Sequence, residues 1–493
     1  MVAMRSIQDW NGAPGTLISW NPSAASAAKM ADAPISDVPV SYQQAQHIRA
    51  YREHREQGTD MARLLIPAWD MPGRCDTRAM THVINAYLRR HDTYHSRFEV
   101  TESDEVVRRT ARNPRDIKFV PTEHGEVTAA QWREHVLATP DPLQWNCFSF
   151  GVIQRADHFT FYISVDHVHT DAMFMGLVLV EIHMMYATLI GGGAPLQLPE
   201  PGSYDDYCVG QHDYTSALTP DSPEVAEWVD IAAAHGGSKP RFPLPLGDPS
   251  VSCSGDLMTV RLLDRQQSER FEAVCAAAGA RFIGGVFACG ALTDLEFSGN
   301  RDYYIITPTT TRRTPEEFMT TGWFTGVVPV TVTADPADFA STARHAQQSF
   351  DGSLHLAHVP FELVVELGKS AGICTPDPGV PMLSYLDAGL PPLSPSVIAQ
   401  WEAMNGKLYT DARSAFQVGL YVNRTERETA LTVCFPDNPI ARESIERYVR
   451  AMQTWFLRVA DGDTAADPGR EPLTTAAHGA RRQRSELVPV VGR

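Results

Sequence analysis

Residues 158–172, HFTFYISVDHVHTDA, constrain the fold of this chain more than any other stretch. Phe159, Phe161 and Ile163 alternate with Thr160, Tyr162 and Ser164, the period of a strand laid on a core, and the run ends at Val165. His167, a three-residue gap and Asp171 follow. Next comes AMFMGLVLVEIHMMYATLI, a helix-length apolar run stopped by Gly191-Gly192-Gly193. Such an order sets a strand tip against a buried helix and holds one imidazole at the junction, where it can face a cleft. The run from Ala172 to Ile190 is long enough to span a bilayer. Glu181 and His183 would then lie near the membrane centre, where a charged group costs several kcal/mol, so the pattern predicts a core helix of a soluble protein.

The same strand and helix grammar occurs twice. LLIPAWDM, CFSFGVIQ and HFTFYISV read as strands, the last two joined as a hairpin across Arg155-Ala156-Asp157, while TRAMTHVINAYLRRH and TAAQWREHVLATP have helical spacing. A Pro-rich passage, KPRFPLPLGDPSVSCSGD, then interrupts the pattern. Beyond it LMTVRLLD, DYYIITPTTT, GVVPVTVTA, PMLSYLDAG, AFQVGLYVNR and TALTVCFPD read as strands. Helices are expected in SERFEAVCAAAGARF, FIGGVFACGALTDLEF, ADFASTARHAQQSFDGSL and ARESIERYVRAMQTWFLRVA. At 493 residues the chain exceeds one ordinary core, and two related lobes are expected, of class α/β (α+β). The expected division is a lead-in over 1–33, an N-terminal lobe over 34–245, a C-terminal lobe over 246–460 and a mobile tail over 461–493.

A net charge of −17 argues against a nucleic-acid surface. Eight cysteines stand far apart and none forms CxxC, so neither a zinc ribbon nor a dithiol redox site is indicated. Reduced thiols and a start without the apolar core of a secretory signal fit the cytoplasm.

His167 is the leading candidate for chemistry. A neutral imidazole titrates near ~6.5 and can take a proton from an attacking hydroxyl and return it to a leaving group. Its bland alternative is a satisfied histidine at a strand end. Asp171 can orient His167, cap the following helix, or pair with an arginine to brace the turn, and bracing is favoured. His167, His169 and Asp171 together form a rival metal-ligand set that would imply metal-assisted hydrolysis. His91 and His95 read as local structural residues. Arg312 and Arg313 follow a strand and suit either a salt bridge to Asp171 or an anionic cofactor. Glycines flank two aromatics in TGWFTG, which suits a close backbone approach to a ligand or a crossover between lobes; core packing is the alternative. No GxSxG elbow or phosphate-binding loop is present, so serine hydrolase and kinase readings lack support.

The order of PISDVPVSYQQAQ, RRHDTYHSRF, DHVHTDA, YDDYCVGQ, TRRTP, GWFTGVVPVTV and HVPFELVVEL resembles the condensation-domain and chloramphenicol acetyltransferase-like superfamily, from about Pro34 to Ala460. Within it, RRHDTYHSRF, FPLPLGDPS, TGWFTG and FPDNPIARES are similar to the mycobacterial polyketide-associated (Pap) acyltransferases, in particular the branch that acylates trehalose. The resemblance implies two acetyltransferase-like lobes in a V with a tunnel between them. It implies His167 as general base and Asp171 as a structural aspartate paired with Arg312. No bound cofactor or metal is expected; an acyl thioester, from coenzyme A or a carrier domain, would be the co-substrate and a trehalose-type sugar the acceptor. The reaction would make cell-envelope glycolipid without an acyl-enzyme. Contact with a polyketide synthase, a monomeric state and a place at the inner face of the plasma membrane are further expectations.

Departures from the superfamily pattern are specific. HHxxxDG reads Asp166-His167 to Ala172 here, which leaves the role of Asp166 open as a substrate contact. His95 replaces the arginine of RHExLRT, moving the expected partner of Asp171 to Arg312. The DFGW-type latch of carrier-dependent condensation has no clear counterpart. Trp323, Ser384 and Gln417 are candidate substrate or oxyanion contacts by position. Rival readings are a diol-lipid acceptor, the metal-dependent hydrolase, and a non-catalytic scaffold of a lipid assembly.

Overall fold

The strand that ends at Asp166 lies in the middle of a sheet, and its neighbours explain why it can hold His167 still. The computed structural model describes residues 4–463 except 237–239, 249–250, 252, 370–371, 374–381, 390–393 and 412–417. Among the described residues, a seven-stranded mixed sheet runs in the order Met4–Ser6, Lys407–Thr410, Leu64–Pro72, His158–Asp166, Phe148–Gln154, Gly15–Pro22, Phe119–Val127. A six-stranded sheet runs Thr325–Thr333, Asp302–Thr310, Met382–Asp387, Gly419–Arg424, Glu428–Pro436, Gly255–Asp264. Each sheet carries its own large apolar core, and these are the two lobes. The hairpin expected across Arg155–Asp157 forms, with Phe148–Gln154 antiparallel to His158–Asp166.

The expected lead-in is the first correction. Residues 1–33 are not a preamble: Gly15–Pro22 is an interior strand between Phe148–Gln154 and Phe119–Val127, and Ala24–Ala31 is a helix. The reason lies in the alternation around Phe161. Its apolar face packs with Trp69, Ile163 and Val165, but the opposite face carries Tyr162, which is equally buried. Ile7, Trp10, Leu17 and Trp132 cover that second face. The strand thus has two cores, and the N-terminal segment supplies one of them.

A second correction concerns the lobe boundary. The six-stranded sheet begins at Gly255, just past the Pro-rich passage. Lys407–Thr410, however, leaves the second lobe and inserts into the first sheet, parallel to Met4–Ser6 and antiparallel to Leu64–Pro72. The lobes are interlocked by this strand. Of the expected tail, 461–463 continue from the last helix and 464–493 lie outside the described residues.

The apolar run after Asp171 forms a helix over Phe174–Ile190 whose middle, Leu179–His183, is a π-turn. The extra residue turns Glu181 inward, fully buried, onto Arg90 at 3.2 Å and His91 at 3.0 Å. Such bulges are frequent beside functional sites. No single helix among the described residues is long and apolar enough to cross a membrane.

Candidate active site

The strand's hydrogen-bond ladder continues past its end, and this fixes the turn. Asp166 N donates to Cys147 O at 2.9 Å and His167 N to Arg63 O at 2.8 Å. His167–His169 then form one 3-10 turn, which Asp166 caps by accepting from Val168 N at 3.0 Å. From above, the helix Tyr42–Glu56 clamps the turn. It starts at a capping box, Ser41 with Gln44, which satisfies its first donors, and the Gln44 amide also donates to Val168 O at 3.0 Å.

His167 is half-buried, and its ring lies 4.2 Å (between centroids) from Trp323. Nδ1 is enclosed and without a hydrogen-bond partner. Nε2 is neither enclosed nor bonded, so it is the nitrogen that can meet a substrate. Burial, followed by the nearby His47, pushes the pKa of His167 down to about 4. The ring is therefore neutral at cellular pH.

Asp171 does not face His167. It accepts from Arg312 Nη1 at 2.5 Å and Nη2 at 3.3 Å, and from the amides of Phe324 and Met173 at 3.0 Å each. Arg312 also donates to Glu317 O and Thr320 O and stacks 4.3 Å from the Phe324 ring. Both side chains of the pair are almost wholly buried. Of the arginine pair only Arg312 enters the site, Arg313 being exposed. One carboxylate thereby joins the histidine turn of the first lobe to the TGWFTG segment of the second. The glycines of that segment serve close packing against protein: a Cβ on Gly322 would strike the Tyr204 ring, and one on Gly326 the Ala357 carbonyl.

His169 points away from His167. Its Nδ1 pairs with Thr93 Oγ1 at 3.0 Å, and its ring sits among Tyr94, Phe98 and Phe148. Burial lowers its pKa to about 3. The His167, His169, Asp171 ligand set therefore does not assemble, and no three His, Cys, Asp or Glu among the described residues form a metal-holding group. His95 has a local partner, Leu88 O, whereas His91 pairs with the distant Glu181.

Asp166, open from sequence, is fully buried and presents no surface. It accepts from Arg63 Nη1 at 2.9 Å and from His47 Nε2 at 2.7 Å. Burial raises its pKa, but His47, then Arg63 and the Val168 amide, more than offset this and leave it below the ordinary value. It is an ionised acceptor, hence His47 Nε2 carries the proton of that bond. Ser384 stands mid-strand in Met382–Asp387, opposite Tyr421, and makes no hydrogen bond to His167. Gln417 lies outside the described residues. Sequence reasoning missed His47, Arg63 and Glu181; each finds its partner about a hundred residues away, and no local pattern marks it.

A histidine at a strand tip with an unpartnered outer ring nitrogen, beside a buried aspartate–arginine pair between two mixed-sheet lobes, defines the class, and residues 67–373 match the condensation-domain family model. The chain belongs to that family, and within it to the Pap acyltransferases. It is 52% identical over 456 residues to acyltransferase PapA3 of Mycobacterium tuberculosis, covering 92% of this chain and 96% of that one. The same identity extends over 468 residues to the 2'-acyl-2-O-sulfo-trehalose (hydroxy)phthioceranyltransferase PapA1 of that species, covering 95% and 91%. Trehalose-2-sulfate acyltransferase PapA2 of Mycobacterium bovis is 51% identical over 466 residues, covering 94% and 99%. A solved PapA2 acyl transferase superposes with a TM-score of 0.90 at 51% identity, covering 93% of this chain and 100% of that one.

Proposed function

We propose that this protein transfers a long-chain or polyketide acyl group from an acyl thioester to a hydroxyl of trehalose or a sulfated or acylated trehalose. The observation that carries the reading is the reachable, unpartnered Nε2 of a neutral His167 at the seam of the two lobes. His167 takes the hydroxyl proton as the oxygen attacks the thioester carbon. The tetrahedral adduct collapses with cleavage of the C–S bond, and the imidazolium returns its proton to the leaving thiolate. No acyl-enzyme forms. Coenzyme A or a carrier domain delivers the donor, and the sugar arrives from the opposite side of the seam between the lobes. The acceptor class is supported by the names of PapA1 and PapA2, to which this chain is equally close within one per cent.

Product analysis tests the acceptor. Purified protein is given palmitoyl-CoA with trehalose, trehalose-2-sulfate and a long-chain diol in parallel, with and without chelator. Ester on a trehalose compound, insensitive to chelator, is the expected product. Diol ester alone would redirect the reading to a lipid acceptor, and chelator-sensitive thioester hydrolysis to metal chemistry.

The pH profile tests the base. Because the His167 pKa is lowered to about 4, kcat/KM should stay level as pH falls through 6.5 and decline only toward about 4. An acid limb at the ordinary histidine value contradicts the desolvated base. His169, also buried neutral, makes the fold itself less stable over that range. Its stabilising contribution is present above the unfolded value near ~6.5 and is lost as pH falls toward about 3. Activity regained on return to pH 7 separates the two effects.

A further inference from the structure

We infer that His47 is a second imidazole of the reaction centre and binds a neighbouring hydroxyl of a polyol acceptor. This rests on the reading of His167 as the base and names a further residue that selects the acceptor. His47 lies on the helix Tyr42–Glu56, and its ring centroid is 6.3 Å from that of His167. Trp323 packs against both rings, edge-on to His47 at 5.5 Å and against His167 at 4.2 Å, so the two imidazoles border one space.

The protonation of His47 follows from its partner. Asp166 is a carboxylate that can only accept, so Nε2 donates to it over 2.7 Å. Arg63 bonds the other oxygen of Asp166 at 2.9 Å, so each carboxylate oxygen has its own side-chain donor. Arg63 is itself tied to Thr139 O and Pro140 O and is not free to leave. With Nε2 committed to Asp166, Nδ1 is the nitrogen left for a ligand. That atom has no hydrogen-bond partner and is not enclosed, although the residue as a whole is 5% exposed.

Two unpartnered ring nitrogens, His167 Nε2 and His47 Nδ1, thus border one space on rings fixed by Trp323 and by the Asp166–Arg63 pair. A sugar offers the matching chemistry, since adjacent carbons each carry a hydroxyl donor. One hydroxyl gives its proton to His167 as it attacks. Its neighbour hydrogen-bonds His47 Nδ1 and fixes which oxygen is presented. A monohydric alcohol can satisfy only the first.

The test compares acceptors. Wild-type protein and His47→Gln are assayed with palmitoyl-CoA and either trehalose or 1-octanol, and the ratio of kcat/KM values is read. Glutamine keeps an N–H donor for Asp166 but has no acceptor at the Nδ1 position. The preference for trehalose over 1-octanol should fall about tenfold, the order of one lost hydrogen bond between neutral groups, with the change in KM for trehalose. His47→Asn, which puts an amide oxygen near the Nδ1 position, should restore part of the preference. Equal losses with both acceptors would show His47 to be a structural support and overturn the inference while leaving the base assignment standing. If wild-type protein esterifies no sugar, the acceptor class is wrong and the inference falls with it. Should His47→Gln not fold, the His47→Asn variant decides alone: a loss confined to trehalose and read in its KM supports the role, and an equal loss with both acceptors rejects it.

Discussion

His167→Ala is expected to lower kcat/KM for acyl transfer by about 10²–10⁴-fold, the usual worth of a positioned general base. The fold should survive the change. The ring makes no hydrogen bond that its removal would orphan, and it is only half-buried, against Trp323. The turn is held by backbone bonds from His167 N to Arg63 O and from Thr170 N to His167 O, which alanine keeps. Donor binding should be unaffected, so the loss belongs in kcat with KM for the thioester unchanged. His167→Gln should be as poor as alanine, because an amide occupies the space without accepting the proton. Full turnover by either variant, with unchanged circular dichroism, would sink the general-base assignment.

Arg312→Ala is expected to destabilise the protein by about 3–5 kcal/mol, the cost of leaving a buried charge without its partner. Asp171 would keep only the Phe324 and Met173 amides, and two carbonyls, at Glu317 and Thr320, would lose their donor. Activity should fall as well, because the same carboxylate anchors Phe324 beside Trp323, whose ring rests on His167. The double variant Arg312→Met with Asp171→Asn removes the charge along with its partner. It should recover part of the lost stability, and a denaturant series on the four proteins of the cycle measures this. A cost below about 1 kcal/mol for Arg312→Ala, as for a surface pair, would mean that the bridge is not the brace described here.

How much of this was legible in the sequence depended on distance along the chain. The strand, the turn and the helix around His167 are encoded within thirty-odd consecutive residues by period and by glycine stops, and they were readable. The TRRTP and GWFTG strings carried the second half of the brace, though which arginine enters the site is a matter of burial. Asp166 was readable only as a departure from a pattern. Its partners, His47 and Arg63, lie on a helix and at a strand start far upstream, and nothing in HIRAYREHR distinguishes the histidine that faces the turn. The strand Gly15–Pro22 was hidden by the Ala, Ser and Pro around it, although Leu17 and Trp20 are fully buried. Lys407–Thr410 was missed because four residues are too few to show alternation.

That short strand has a consequence for the order in which the protein can be made. It pairs with Leu64–Pro72, and just after it Asp411 accepts from the amides of Arg63 and Leu64, the residues that hold Asp166 and the histidine turn. During synthesis the edge of Leu64–Pro72 therefore waits, unpaired and apolar, until residue 411 has left the ribosome. By then the strands Gly255–Asp264, Asp302–Thr310 and Thr325–Thr333 of the other lobe have already emerged. A nascent chain stopped at the Pro-rich passage holds every residue of the His167 turn yet lacks the strand that closes its sheet. The first sheet, and with it the backbone under the His167 turn, can close only after most of the second lobe has been synthesised.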